Sequence, residues 1–144
     1  MQLDSDDAAD ETWFGPKWHW KAHEGSVSAL RFNPVQSSQL LSSSYDGTIR
    51  VTDIEAAKSY EVLDADAESE EEAEDMLIGG FDLTQDGNVI WACDNDGGVI
   101  RRDLREKKES MQRWWIDVDK IGTISLNPAD NRFGSVSHRK RLMR

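Results

Sequence analysis

The sequence lacks the features that mark several large classes of protein. Its 144 residues include one cysteine, Cys93, which excludes an intramolecular disulfide. No stretch approaches the roughly 18 consecutive apolar residues that a membrane-spanning helix needs. No basic start followed by an apolar core opens the chain, so a secretory signal is not expected. We therefore predict a protein of a reducing, intracellular compartment that has no membrane partner.

Motifs for catalysis and metal binding are also missing. The sequence has no nucleophile-elbow pattern, no phosphate-binding loop and no paired histidine and cysteine motif. His19 and His23 have the four-residue spacing of a helical metal site. The alternation of apolar and polar residues over 17–21 predicts a strand instead, which removes that geometry. We predict no enzymatic activity, no catalytic residue, no metal and no cofactor.

The net charge of −11 is concentrated in two segments. Residues 64–75 hold eight acids and no base, and residues 1–11 hold five acids. Without these segments, 15 acidic residues face 17 Lys and Arg, so the remainder carries a charge of +2. Self-repelling acidic runs of this kind are typical of solvated tails and loops.

Three segments share one pattern of apolar residues. They read VSALRFNP at 27–34, IGGFDLTQ at 78–85 and IGTISLNP at 121–128. The shared apolar offsets fall 51 and then 43 residues apart, and a turn signal follows each segment. The sequence thus contains an internal repeat, and its first interval is longer because it includes the acidic run.

A second shared pattern follows each of the first two segments. Residues 46–53 read DGTIRVTD and residues 96–103 read DGGVIRRD. Asp-Gly favours a tight turn because glycine accepts a positive φ without steric cost. With fourth strands predicted at 59–62 and 111–116, each unit has four antiparallel strands and repeats at the interval of a propeller blade. We predict an all-β fold, a partial β-propeller of about two and a half blades whose ring is not closed.

The first unit resembles the WD-repeat family. It has Ala22-His23 where that family has Gly-His, then Ser44-Tyr45-Asp46-Gly47, and it ends with Thr52-Asp53 where Trp-Asp is usual. The resemblance implies a hydrogen-bonded chain within the blade. In the second unit Asp94 replaces the serine and Arg102 replaces the tryptophan. The structural blade residues implied are His23, Ser44, Asp46 and Asp96.

The resemblance covers about residues 17–137 and divides the chain as follows. Residues 1–12 are expected to be a disordered acidic N-terminus, and 13–144 a partial propeller. Within the propeller we assign 13–22 to the last strand of a preceding blade, 23–63 to a blade, 64–75 to an acidic inter-blade loop, 76–117 to a blade and 118–144 to an incomplete blade.

A narrower resemblance concerns SALRFNPVQSSQLLSSSYDGTIR, and NDGGVIRRDLR followed by SLNPAD. These segments are similar to fungal and animal nuclear WD-repeat proteins that bind damaged DNA, relatives of the propeller subunit of the UV-damaged-DNA-binding complex. The resemblance implies DNA as a partner, a role in the DNA-damage response or DNA metabolism, and location in the nucleus and also the cytoplasm. It also implies a seven-bladed ring, for which this chain is too short, so we interpret the chain as truncated.

The candidate DNA-contacting residues are Arg101, Arg102 and Arg105, in the densest basic stretch outside the C-terminal tail. Basic side chains that neutralise phosphates give DNA affinity independent of sequence. A merely solvated hairpin is the alternative for this stretch.

Asp103-Leu104-Arg105 resembles the Trp-Asp-x-Arg motif with which some propellers dock on the adaptor of a cullin-type ubiquitin ligase. The competing function is therefore that of a protein-interaction scaffold or substrate receptor, with that adaptor or other chromatin proteins as partners. In this hypothesis Asp103 and Arg105 are the docking residues.

Overall fold

The computed structural model describes residues 4–5, 18–66, 76–116 and 121–137. Within these ranges the regular structure is almost entirely β-strand, and one 3-10 turn at Lys108–Ser110 is the exception. No helix in this part of the chain is long and apolar enough to cross a membrane. The predicted all-β class is confirmed.

The strands form four antiparallel sheets, in which strands adjacent in sequence pair with each other. β1 (Asp4–Ser5) pairs with β2 (Trp18–His19). The first sheet contains β3 (Val27–Phe32), β4 (Gln39–Ser44), β5 (Thr48–Asp53) and β6 (Lys58–Asp64). The second sheet contains β7 (Ile78–Leu83), β8 (Val89–Asp94), β9 (Gly98–Asp103) and β10 (Gln112–Trp115). The third sheet contains β11 (Ile121–Leu126) and β12 (Phe133–Ser137).

The sheets stand side by side through their first strands. β7 packs between β3 on one side and β11 on the other. Two complete four-stranded sheets and a two-stranded one, arranged in this way, form part of an open ring. This arrangement confirms the predicted partial propeller.

Asp-Gly turns join the second and third strands, as the sequence predicts. Gly47 has φ +83° and Gly97 has φ +79°, a region that side chains rarely adopt. A Cβ on Gly47 would also lie 2.6 Å from the carbonyl oxygen of Met76, at the start of the next unit. Glycine is thus required at this turn both by the backbone and by the neighbouring segment.

Two apolar cores lie between successive sheets. The first joins the first and second sheets, and its largest fully buried side chains include Phe81, Leu41 and Ile90. The second joins the second and third sheets around Cys93, Val99, Ile121 and Ile124. Because each core contains side chains from two sheets, each sheet is stabilised by its contact with the next.

Two segments differ from their predicted assignment. Asp4–Ser5, expected in a disordered tail, forms a short strand. A two-residue pairing uses only backbone groups, so an acidic composition does not prevent it. Asp64 still belongs to β6 and Ala65 is buried, so the first residues of the predicted acidic loop are structured. The remainder of that loop, 67–75, lies outside the described residues.

A partial propeller lacks neighbouring sheets at its two ends, so exposed apolar surface is predicted beside 17–32 and 120–137. Val27, Leu30 and Phe32 are indeed exposed, but Ile121 and Ile124 are buried. At Ile121 and Ile124 the prediction is wrong, because β11 packs against the second sheet.

We expect Phe81→Ala to lower the free energy of unfolding by about 3–5 kcal/mol, because it leaves a cavity in the core between two sheets. Phe32→Ala is the matched control, since the same atoms are removed from an exposed position. Urea unfolding of the chain, followed by tryptophan fluorescence, measures both. Equal losses for the two variants would contradict the assignment of Phe81 to the shared core.

Candidate nucleic-acid interface

The candidate arginines lie at the end of β9 and in the turn that follows it. The register with β8 places Arg101 opposite Trp91 and Arg102 opposite Ile90. Neighbouring residues of a strand point to opposite faces, so Arg101 and Arg102 cannot serve one surface together. Arg105 lies in the turn, two residues beyond Asp103.

Asp103 and Arg105 form a two-point ion pair. Nε of Arg105 donates to Oδ1 of Asp103 over 3.0 Å, and Nη2 donates to Oδ2 over 2.8 Å. The backbone amide of Arg105 also donates to Oδ1, over 3.0 Å. These hydrogen bonds, with the charges of Arg105 and Arg101, hold the pKa of Asp103 far below its ordinary value. The hydrogen bonds that Arg105 donates to Asp103, and the negative charge of that carboxylate, raise the pKa of Arg105 in turn.

The two partners of this pair differ in exposure. The Asp103 side chain is 5% exposed, whereas that of Arg105 is 62% exposed. A buried carboxylate therefore orients a guanidinium that remains open to solvent. The fixed fork geometry of such a group suits a phosphate or carboxylate from another molecule.

Arg101 contributes a second cation near the same carboxylate. Its Nη2 lies 3.7 Å from Oδ2 of Asp103, and its side chain is partly exposed. Two arginines thus share one buried acid, and the charges of Asp86 and Glu106 also act on Arg105. The structure brings Arg101, Asp103 and Arg105 together.

Arg102 is different, and its prediction as a DNA-contacting residue is wrong. The residue is buried. Its Nε donates to the carbonyl of Val62 in the first sheet over 3.0 Å, and its Nη1 donates to the carbonyls of Asp103 and Glu106. A guanidinium held inside by backbone carbonyls is not available to a phosphate. Sequence reasoning missed this role because a basic cluster does not show which face each side chain takes.

The hairpin after β9 is also tied to the first sheet. Nζ of Lys108 contacts Oε1 of Glu61 on β6. Ser110 donates to the carboxylate of Glu106 over 3.2 Å within the 3-10 turn. The hairpin thus has specific contacts, and Arg105 projects from a fixed backbone.

A buried polar chain centres on His23 in the first sheet. Its Nδ1 lies 3.0 Å from Oδ2 of Asp46 and 3.1 Å from the hydroxyl of Thr48. Its Nε2 lies 2.7 Å from the hydroxyl of Ser42. The implied roles of His23 and Asp46 agree with these contacts, but the serine is Ser42 and not Ser44. Ser44 instead accepts a hydrogen bond from the amide of Asp46, over 3.1 Å.

The equivalent turn of the second sheet is built on Asp94. Its Oδ1 accepts hydrogen bonds from the amides of Asp96 and Gly98, over 2.9 and 2.8 Å. Its Oδ2 lies 3.5 Å from Nε of Arg113 on β10. Asp96 contributes its backbone amide while its side chain is exposed, so its predicted side-chain role in the blade is wrong. The sequence signal for this arrangement is Asp94, an acid at the position where the family usually has serine.

Cys93 and the two described histidines, His19 and His23, give no sign of a chemical site. Burial, followed by the charge of Asp94, raises the pKa of Cys93 to about 11, which leaves little reactive thiolate. In residues 18–66, 76–116 and 121–137, no group of three His, Cys, Asp or Glu side chains could hold a metal ion.

Comparisons with known proteins point to one group of fungal relatives. A protein of Mycosarcoma maydis named DNA damage-binding protein CMR1 is 32% identical over 86% of this chain and 22% of its own length. Proteins of the same name from Cryptococcus neoformans and Chaetomium globosum are 33% and 35% identical, over 83% and 76% of this chain. The chain spans about a fifth of the length of these relatives, 20–22%. No family model matches the sequence.

A solved structure shares the fold. The β-propeller domain of Cps50 (Swd1) from Myceliophteria thermophila superposes with a TM-score of 0.61 at 19% identity. The match covers 81% of this chain and 34% of that domain. At this identity the likeness concerns the fold alone, and it agrees with an open array of propeller sheets.

We expect Ser42→Ala to cost about 1–3 kcal/mol of stability, because it removes the partner of a buried imidazole nitrogen. Ser37→Ala, in an exposed turn, is the control and should be close to neutral. Urea midpoints of the two variants provide the comparison. A neutral Ser42→Ala would show that His23 does not depend on this hydroxyl.

The Asp46 carboxylate should make the stability of the first sheet depend on pH. Burial opposes its charged form, but the hydrogen bonds from Thr48, with His23 and the amide of Glu24, outweigh burial and lower its pKa from 3.8. A carboxyl with a lowered pKa stabilises the fold above its ordinary pKa, and this stabilisation is lost as the pH falls below 3.8.

Asp46→Asn should therefore lower the melting temperature at pH 7, and the difference from the unsubstituted chain should shrink as the pH falls from 4 towards 2. Asp96→Asn, with an exposed side chain, is the matched control and should show little difference at either pH. A constant deficit of Asp46→Asn across this pH range would refute a role for the charge.

Proposed function

Because the chain belongs to the WD-repeat family of the fungal proteins named DNA damage-binding protein CMR1, we propose that its protein binds damaged DNA. In this proposal the propeller is a binding surface without enzymatic activity, and it acts in the nucleus in the DNA-damage response or DNA metabolism. DNA and other chromatin proteins are its partners.

The observation that carries the proposal is the identity of 32–35% to proteins with this name over most of the chain. The chain corresponds to about a fifth of those relatives, so damage recognition is proposed for the whole protein. The described residues account for a share of the phosphate contacts.

Arg105 is the residue proposed to make this contribution, with Arg101 beside it. The Asp103 carboxylate occupies Nε and Nη2 of Arg105, which leaves Nη1 to donate to a second anion. Because Asp103 already orders the side chain, less conformational entropy is lost when a phosphate binds. The carboxylate therefore orients Arg105 and also weakens the local positive potential.

This geometry supports phosphate contact and not base readout. A single exposed guanidinium held at the end of a strand offers charge and two or three donors, but no extended element that enters a groove. The contribution of this region to DNA affinity should be independent of sequence and sensitive to salt.

Arg105→Ala in the complete protein should weaken binding to UV-irradiated and undamaged duplexes by a similar factor. It should also reduce the slope of log affinity against log salt by about one. Fluorescence anisotropy with labelled duplexes at several salt concentrations measures both effects. Lys21→Ala is the matched control, because it removes one exposed, ion-paired cation from a loop outside this cluster.

A specific observation also favours the second candidate function, docking on a ubiquitin-ligase adaptor. Asp103 and Arg105 form a rigid pair whose arginine faces solvent, as an anchor for a protein partner requires. Arg102, at the position of the usual tryptophan of the motif, is buried. The sequence departure therefore does not remove the exposed part of the pair.

The same variant separates the two functions. If Arg105 contacts DNA, Arg105→Ala loses DNA affinity while adaptor co-purification persists. If Arg105 docks on the adaptor, co-purification is lost and the salt dependence of DNA binding is unchanged. If neither property changes, both residue assignments are refuted, although damage binding by the rest of the protein would stand.

A further inference from the structure

A cavity of about 250 Å³ lies between the first and second sheets, beside the outer strands of the first sheet. One wall is a cross-strand row formed by Leu41, Val51 and Tyr60. The opposite wall comes from the second unit and includes Arg102 of β9 and Leu104 of the hairpin that follows. The cavity is thus mainly aliphatic, with one guanidinium set into its wall.

Arg102 is a buried cation that no carboxylate of the described residues pairs with. The residue is 6% exposed, and its Nε and Nη1 donate to three backbone carbonyls. The nearby acids are paired with other cations. Asp103 pairs with Arg105, and Glu61 pairs with Lys108. Carbonyl dipoles therefore provide all of the compensation for this charge in the part of the chain that the structure describes.

One donor of this guanidinium remains for a ligand. Nη2 of Arg102 has no acceptor among the described residues, and it is not one of the unpaired atoms sealed from solvent. A buried charge is costly unless it is paired. An anion that enters the cavity would supply the missing acceptor and the missing opposite charge together.

We propose that this cavity binds the side-chain carboxylate of a glutamate from a peptide partner. The carboxylate would accept a hydrogen bond from Nη2 of Arg102, and one negative charge would neutralise one guanidinium. The methylene groups of the glutamate would pack on Leu41, Val51 and Leu104, which line the same cavity. The aliphatic wall and the single cation thus match the two parts of this side chain.

The size of the cavity favours a peptide over nucleic acid. At about 250 Å³ it is smaller than the pockets of drug-sized ligands, which hold about 300–1,000 Å³. It therefore has room for a side chain and not for the backbone of a duplex, so a DNA phosphate does not reach Arg102. Glu61 also lines the cavity, and its charge disfavours a ligand that carries two negative charges.

The peptide site is separate from the residues proposed to contact DNA. Arg102 points to the face of β9 opposite to that of Arg101 and Asp103, because side chains alternate along a strand. Arg105 pairs with Asp103 and does not line the cavity. Failure of either proposal would leave the other intact.

Two probes of equal shape test the proposal on the complete protein. N-acetyl-glutamate amide and N-acetyl-glutamine amide differ in the charge of one terminal group, and saturation-transfer NMR at pH 7 measures the affinity of each. We expect saturable binding of the glutamate probe and at least about tenfold weaker binding of the glutamine probe, because the hydrogen bond to a charged acceptor is lost. Equal affinities, or no saturable binding of the glutamate probe, would overturn the proposal.

A pair of arginine variants locates the bound carboxylate. Arg102→Met removes the charge and keeps a long stem, a change that buried ionic groups often tolerate. It should abolish the preference for the glutamate probe. Arg132→Met is the matched control, since that side chain is 88% exposed in the third sheet, and it should retain the preference. A preference that persists in Arg102→Met would refute the assignment.

Leu104→Trp gives a second test that does not depend on the folding of Arg102→Met. It keeps the guanidinium and fills the cavity from the hairpin, so binding of the glutamate probe should be lost. Unchanged binding would contradict the proposed location. Inorganic phosphate is the competitor that separates the two classes of anion. If it binds more tightly than the glutamate probe, the cavity is a phosphate site and the proposal is wrong.

Discussion

The structure depends on one constraint, the burial of one face of the second and third sheets against the sheet that precedes each of them in the chain. A β-sheet has two faces. On the face turned towards the preceding sheet, the first strand of all three units has aliphatic or aromatic side chains, among them Leu30, Phe81 and Ile124. Phe81 and Ile124 satisfy the constraint within the chain. The turn chemistry, the polar chains and the arginine contacts all serve to hold sheets in the relative position that this burial needs.

Tryptophan is replaced in both complete units, and the two replacements have opposite consequences. Arg102 spans the interface and bonds to a backbone carbonyl of the neighbouring sheet. Arg113 also reaches the first sheet, donating to the carbonyl of Ala65 over 3.1 Å. Thr52 makes no such crossing and instead lies 3.4 Å from Ser59 in its own sheet. Basic residues near the candidate nucleic-acid interface therefore include both structural ties and solvent-facing groups.

The fold could be predicted from the sequence because its signals are local and repeated. Apolar offsets, Asp-Gly turns and strand lengths recur with the same phase, so each unit confirms the reading of the others. The motif Asp103-Leu104-Arg105 is also visible in the sequence, whereas the ion pair between its two charged residues is seen only in the structure. Residues 67–75 lie outside the described part of the chain, and their predicted loop remains a prediction.

Other details of the site could not be predicted, since they depend on distances across strands. Ser42 and Ser44 lie on the same face of β4, so the sequence pattern does not distinguish them. In the structure Nε2 of His23 lies 2.7 Å from the hydroxyl of Ser42. In the second unit the acid that binds the turn is likewise Asp94 and not the predicted Asp96, and its Oδ2 lies 3.5 Å from Nε of Arg113 on the outer strand. A linear motif fixes the residue types but not these separations.

The strand order of each sheet follows the order of synthesis, with hairpins between neighbours and no crossover. Each strand therefore pairs with its neighbour in sequence, which limits the length of chain that must close to a loop when two strands come together. On a ribosome the first sheet would emerge complete before β7 appears. The face that carries Leu41 and Val51 would then be available for β7 to pack on. The sheets would then assemble in the order of the chain. Insertions and deletions would be tolerated best at the boundaries between sheets.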